Sequence, residues 1–76
     1  MKKINKKQRK IIYEAVKNYG GMTKFSREIG ISRQAAELWL VYGIPPRRVM
    51  VVEKLTGVSR ETLNPEIYPP PEPKNV

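Results

Sequence analysis

Four side chains near the middle of the chain have types and spacing that suit the edges of DNA base pairs. Arg33 and Gln34 open a segment with helical apolar spacing, and Glu37 and Leu38 follow one turn later. An Arg fork matches guanine O6 and N7, and a Gln amide matches adenine N6 and N7, each good pair giving about 1–3 kcal/mol of discrimination. We therefore take these four residues as the candidate base-contacting set.

Each of these four residues also has a second interpretation. Arg33 and Gln34 can belong to an ordinary solvated helix face. Glu37 can accept from cytosine N4, or it can orient Arg33 four residues before it. Leu38 can contact a thymine methyl group, or it can serve local packing or a dimer contact.

Further residues are candidates for contacts to phosphate, which position a protein on DNA without reading its sequence. Backbone N–H groups at the start of a helix near residue 22 can hold an anion with help from the helix dipole. Two cations directly after Pro46 oppose the dipole of another helix, so their presence is easier to understand if a phosphate docks there. The alternatives are tolerated surface charge or a pair with Glu53. The tyrosine before these prolines can donate to a phosphate or pack against them. The candidate set is Thr23, Lys24, Ser32, Tyr42, Arg47, Arg48, Lys6 and Lys10.

The base-contacting set requires two short helices joined by a tight turn, which we predict at 22–29 and 33–41. Gly30 can enter the left-handed region and end the first helix, and Ser32 can cap the second. The apolar positions of the two segments fall where crossed helices share a small core: Phe25, Ile29, Ile31, Ala36, Trp39 and Leu40. This pattern is typical of a DNA-binding helix-turn-helix, whose second helix enters the major groove.

A long first helix is predicted at 6–19, before this pair. Asn5 can cap it, with Gln8 as the reciprocal capping-box partner. Its inward stripe comprises Ile11, Ile12, Ala15, Val16 and Tyr19.

Two helices are predicted after the pair, at 46–56 and 60–63. The helix at 46–56 is apolar on more than one face, which indicates a central position or a dimer contact. Leu63, Ile67 and Tyr68 are expected to pack back onto the bundle. Because no alternating strand pattern appears, we predict an all-α domain of five helices.

Charge and composition divide the chain into three parts. The net charge of the 76 residues is +8, and ten Lys/Arg against two acids lie within residues 1–36. Such an asymmetric cationic surface suits a polyanion, although a solvated basic tail is the alternative. We predict a basic arm at 1–5, a DNA-binding domain at 6–68, and a disordered proline-rich tail at 69–76.

Composition also argues against other classes of protein. The chain has no Cys and no His, and its glutamates form no recognisable acid–base pair or metal cluster, so we expect no enzyme, no cofactor and no metal. No apolar run approaches the roughly 18 residues that a membrane span needs. We expect a protein of the bacterial cytoplasm, associated with the nucleoid, with no membrane partner.

These residues resemble the Cro-like regulators of temperate phages and the related YdaS-type antitoxin family. The resemblance covers roughly residues 10–68, with Ser26 where such motifs usually carry Ala and Asn64 where a basic residue is usual. It is carried by Tyr19-Gly20-Gly21, FSREIGISRQAA at 25–36, Trp39, IPPR at 44–47, VEKLTG at 52–57 and LNPEIY at 63–68.

The resemblance implies a small transcriptional regulator, most simply a phage or prophage repressor that occupies a palindromic operator in double-stranded DNA as a homodimer. Helix 33–41 would be its recognition helix. The alternative is an antitoxin or protein-interaction regulator that neutralises a toxin or other partner protein and regulates its own promoter.

Overall fold

Five α-helices and no strands make up the part of the chain that the computed structural model describes, residues 2–69. The predicted all-α class is therefore confirmed. Four helices have the predicted bounds. The helix predicted at 33–41 runs one residue further, to Tyr42, before Gly43 ends it at φ 94°. The elements are α1 (Lys6–Tyr19), α2 (Met22–Ile29), α3 (Arg33–Tyr42), α4 (Pro46–Thr56) and α5 (Arg60–Leu63).

Phe25 of α2 lies at the centre of the core. Its ring packs edge-on against Trp39 of α3 at 5.9 Å between centroids, and against Tyr19 of α1 at 6.3 Å. Ile31 and Leu40, predicted in the shared core, are only partly buried and pack against its outside. The buried apolar residues are Ile12, Ala15, Val16, Phe25, Ile29, Ala36, Trp39, Ile44, Val49, Val52 and Leu63.

Residues before α1 are attached to the end of α3. The Ile4 N–H donates to the Val41 carbonyl at 2.9 Å, and the Ile4 side chain packs against the core beside Gly43. This contact satisfies one of the carbonyls that a helix end leaves without an intrahelical partner. Met1, the first residue of the predicted arm, lies outside the described residues.

Gln8 connects the two ends of the fold. Asn5 caps α1 as predicted, its Oδ1 accepting from the Gln8 N–H at 2.8 Å. The reciprocal half of the capping box is wrong, because the hydrogen bonds of residues 2–69 include none from the Asn5 N–H to the Gln8 side-chain oxygen. Gln8 Nε2 donates to the carbonyls of Thr62 (3.1 Å) and Leu63 (2.6 Å) in α5. These bonds satisfy carbonyls that a helix end leaves without an intrahelical partner.

We expect Gln8→Ala to lower the free energy of unfolding by about 1 kcal/mol, the usual contribution of a hydrogen bond between neutral groups. Urea titration followed by circular dichroism measures the loss. Lys7→Ala is the matched control, because Lys7 is an exposed neighbour on the same helix. Equal stability of the two variants would contradict a role for Gln8 in holding α5.

Glu53 and Arg60 join α4 to α5. Glu53 Oε2 accepts from the Arg60 backbone N–H at 2.8 Å, and Glu53 Oε1 lies 3.7 Å from the Arg60 guanidinium. The same guanidinium lies over the Tyr68 ring at 5.7 Å. Glu53 therefore pairs with Arg60 and not with the two arginines at the start of α4.

The end of the described chain is only partly packed on the bundle. Asn64 Nδ2 donates to the Ile44 carbonyl at 3.0 Å, and Leu63 is buried. The prediction that Ile67 packs inward is wrong, because its side chain is 50% exposed. Of the predicted tail at 69–76, all but Pro69 lies outside the described residues. No helix within 2–69 is long and apolar enough to cross a membrane.

Candidate nucleic-acid interface

Helix α3 separates its candidate residues from the core. Ala36 and Trp39 point inward and are buried, whereas Arg33, Gln34 and Glu37 are exposed on the outer face. Leu38, also on that side, is 54% exposed. The four predicted base-contacting residues therefore lie on one accessible stretch of a single helix.

Arg33 connects α3 to α2. Its Nη1 donates to Thr23 Oγ1 at 3.3 Å, and its Nε lies 3.4 Å from Glu37 Oε1. The Arg33 and Glu37 side chains are 63% and 51% exposed, so the ion pair adds little stability. Its effect is geometric, because two contacts restrict where the guanidinium can point.

The turn between α2 and α3 has the chemistry that the sequence predicts. Gly30 ends α2 at φ 87°, in the left-handed region, and the Ser32 hydroxyl caps α3 by accepting from the Ala35 N–H at 3.1 Å. The Ser32 proton remains able to donate to a phosphate. Buried Ser26 donates to the Thr23 carbonyl at 3.1 Å, which explains how a hydroxyl is accommodated where alanine is usual.

The start of α2 presents two of the phosphate candidates. Thr23 and Lys24 are both exposed in its first turn. The Lys24 ammonium lies 5.2 Å from the centre of the Tyr19 ring, an attractive cation–π contact that holds the lysine beside the helix start.

Tyr19 in turn donates to Glu28 Oε1 at 3.3 Å. Burial, and after it the negative charge of Glu28 and this hydrogen bond, raise the pKa of the Tyr19 phenol. The phenol therefore keeps its proton at neutral pH and continues to donate.

A second group of cations lies on α1. Lys6, Arg9 and Lys10 border a shallow depression of about 360 Å³, whose floor is formed with Tyr13 and with Leu40 of α3. The depression brings Lys6 and Lys10, two predicted phosphate contacts, next to α3. Tyr13, which is 51% exposed, was not among the predicted site residues. The sequence feature that could have identified Tyr13 is its place between Lys10 and Lys17 on a basic face of the helix.

The start of α4 carries Arg47 and Arg48. Pro46 occupies the first turn, no acidic residue follows within it, and Arg47 is exposed while Arg48 is half-buried. Among the ion pairs of residues 2–69, neither arginine has a partner. The alternative of a pair with Glu53 is thus wrong.

Tyr42 is the last residue of α3, not the first residue beyond it. It lines an apolar groove together with Pro45 and Pro46, and its side chain is 39% exposed. This position agrees with the packing alternative and leaves the hydroxyl accessible to solvent.

The structure therefore joins some candidates and leaves others apart. Thr23, Arg33 and Glu37 form one hydrogen-bonded group, and Lys6 and Lys10 share a depression with α3. No described hydrogen bond or ion pair links Arg47 or Arg48 to either group. Within residues 2–69, no three acidic side chains are grouped as a metal ion would require.

Comparison with known proteins identifies a family. The family model described as "Bacterial toxin YdaS" matches residues 12–72, a span that includes all of α2 to α5 and most of α1. No curated protein and no solved structure matches the chain significantly.

Proposed function

The chain belongs to the family described as bacterial toxin YdaS, and from this premise we propose that it is a sequence-specific DNA-binding regulator whose recognition helix is α3. Its simplest action is repression, because a protein that occupies an operator excludes RNA polymerase or a competing regulator without catalysis.

One hydrogen bond between α3 and α2 is the main support for the proposal. Arg33 of the recognition helix donates to Thr23 at the start of α2, so the base-contacting candidates and the first phosphate candidates share one surface. In a helix-turn-helix, the second helix enters the major groove while the first crosses the backbone. The hydrogen bond between Arg33 and Thr23 places a guanidinium that would contact base edges next to a hydroxyl that would contact a phosphate.

The remaining phosphate candidates, most of which are cations, suit phosphates on either side of the major groove. Lys6 and Lys10 adjoin the recognition helix through Leu40, and Ser32 and Lys24 lie near the turn. Arg47 and Arg48 extend the cationic surface past the end of α3, and Tyr42 is the last residue of that helix. In this proposal they position the protein, and the four residues of α3 supply the sequence preference.

Two copies are part of the proposal, because one helix reads only a few base pairs. A homodimer on a palindromic operator would place its two recognition helices about 34 Å apart, one turn of the duplex. The candidate dimer contacts are Met50 and Val51, each 42% exposed on α4, and the segment 63–68.

We expect Glu37→Gln to weaken discrimination at one base pair by about twofold, the equivalent of an exposed ion pair between neighbouring helical turns. The substitution removes the carboxylate that restrains Arg33. It also removes a negative charge from a surface that faces phosphates, so binding to random-sequence duplex should become tighter.

Fluorescence anisotropy with specific and random duplexes measures both effects of Glu37→Gln. Glu61→Gln, which makes the same charge change on α5, is the control. If both variants retained the same discrimination, Glu37 would have no role in placing Arg33.

The proposal is tested with the DNA upstream of the chain's own gene. Wild-type protein should bind this fragment in the presence of excess random duplex, and an Arg33→Ala, Gln34→Ala variant should lose the preference. Lys17→Ala, Asn18→Ala is the matched control on the outer face of α1. If excess random duplex abolished binding of the wild type to the fragment, this result would contradict a sequence-specific site in it.

A second function is favoured by the family description, which names a toxin. In this alternative the chain is an antitoxin or interaction regulator that neutralises a partner protein and also regulates its own promoter. Co-purification with the product of a neighbouring gene, unchanged by Arg33→Ala and Gln34→Ala, would favour it. Growth arrest on expression of the chain alone would instead indicate that the chain itself is the toxin.

A further inference from the structure

An apolar groove lies beside the end of the recognition helix. Its volume is about 600 Å³, within the usual range for ligand sites of about 300–1,000 Å³. Three of the large apolar side chains that the bundle leaves exposed line it: Leu38 (54%), Tyr42 (39%) and Ile67 (50%). Trp39, Ile44, Pro45 and Pro46 complete the apolar wall.

The groove lies close in sequence to the end of the described chain. Glu66 and Ile67 line it, and Pro69 follows two residues later. The next residues are Pro70, Pro71, Glu72, Pro73, Lys74, Asn75 and Val76. A segment joined by a short connection to residues that line a groove has a high effective concentration there, in the millimolar range.

The composition of this segment matches the groove. Proline-rich segments favour the polyproline II helix, which has little conformational entropy to lose and docks into grooves lined by aromatic rings. The lining of the groove here includes Trp39 and Tyr42 together with Pro45 and Pro46. Three residues of such a helix advance about 9 Å, so residues 70–73 are long enough to cross a groove of this volume.

We propose that residues 70–73 of this chain bind in the groove formed by Leu38, Tyr42, Pro45, Pro46 and Ile67. The interaction itself needs no DNA and does not rest on the proposed function. One consequence does rest on it: Leu38 is also a candidate base contact, so the bound segment would cover part of the reading surface.

Nuclear magnetic resonance of the full chain tests the proposal. We expect nuclear Overhauser contacts from the Pro70 and Pro71 ring protons to the Leu38 and Tyr42 side chains. We also expect a backbone order parameter at Glu72 near that of rigid backbone, about 0.85, instead of below about 0.6. Absence of these contacts, with a low order parameter at Glu72, would overturn the proposal.

A pair of variants separates the groove from other apolar surface. Leu38→Ser should remove the contacts and lower the order parameter at Glu72. Met50→Ser, at a residue 42% exposed on α4 and outside the groove, should leave both unchanged. Equal effects of the two variants would overturn the proposal.

Mixed samples of isotope-labelled and unlabelled protein identify the occupant. Contacts that appear only within a labelled molecule support binding of the chain's own segment. Contacts between labelled and unlabelled molecules would assign the groove to a second copy and overturn the proposal. The wild-type spectra decide this even if the Leu38 variant fails to fold.

Discussion

Phe25→Ala is expected to lower the free energy of unfolding by about 3–5 kcal/mol, the usual cost of removing a buried phenylalanine ring. Phe25 is 1% exposed and packs against both Tyr19 and Trp39, so its loss leaves a cavity between α1, α2 and α3. Small domains have stabilities near the lower end of about 5–15 kcal/mol. The variant should therefore be largely unfolded at the temperature at which the host cell grows.

Thermal and urea unfolding, followed by circular dichroism, measure this loss. Tyr13→Ala is the matched control, since it removes an aromatic ring from a site that is 51% exposed. Surface substitutions of this kind usually change stability by no more than about 0.5 kcal/mol. If the two variants were equally stable, Phe25 would not be the centre of the core.

Affinity for duplex DNA is expected to fall by about 10³ to 10⁵ between 50 and 200 mM salt if six to ten phosphates are neutralised, because each contact releases condensed counterions. The candidate cations in the described chain are Lys6, Arg9, Lys10, Lys24, Arg47 and Arg48. A dimer on DNA offers twice this number, so not every candidate has to make a contact.

The slope of log affinity against log salt identifies which cations contribute. Each lost phosphate contact should reduce the slope by about one, so a substitution present in both copies of a dimer should reduce it by about two. We expect this reduction for Lys10→Ala, whose side chain borders the depression next to α3, and not for Lys54→Ala near the end of α4. A slope that is the same for both variants would remove Lys10 from the interface.

The helices were predictable because their ends carry local signals. Gly30 must adopt a positive φ, and Ser32 and Asn5 cap through bonds that span only three residues. Such signals need no knowledge of the rest of the fold. They allowed four helices to be predicted with the observed bounds, and α3 to within one residue.

Contacts between distant parts of the chain were not predictable in the same way. The Gln8 amide has a local partner in the capping box, yet it binds carbonyls 54 and 55 residues away. The sequence offers Glu53 three possible arginine partners, Arg47, Arg48 and Arg60. The packing of α4 against α5 places Arg60 next to it. Ile67 follows a buried Leu63, but Pro65 and the turn after α5 direct it into the open groove.

The candidate site falls between these two cases. The outward direction of the residues of α3 follows from helical spacing, and the structure agrees with it. The bond from Arg33 to Thr23 depends on how two helices cross, so it appears only in the folded chain. The roles of these residues on DNA stay predictions.

Selection of bound DNA from a random duplex pool tests the central claim most directly. It should be performed at two salt concentrations with the wild type and with the Arg33→Ala, Gln34→Ala variant. We predict that the wild type selects a short palindromic motif and that the variant loses it, with a loss of discrimination of about 1–3 kcal/mol for each side chain. The account would be contradicted if both proteins retained equal amounts of DNA, in a salt-sensitive way and without enrichment of any motif. The partner-binding function would then be the better explanation.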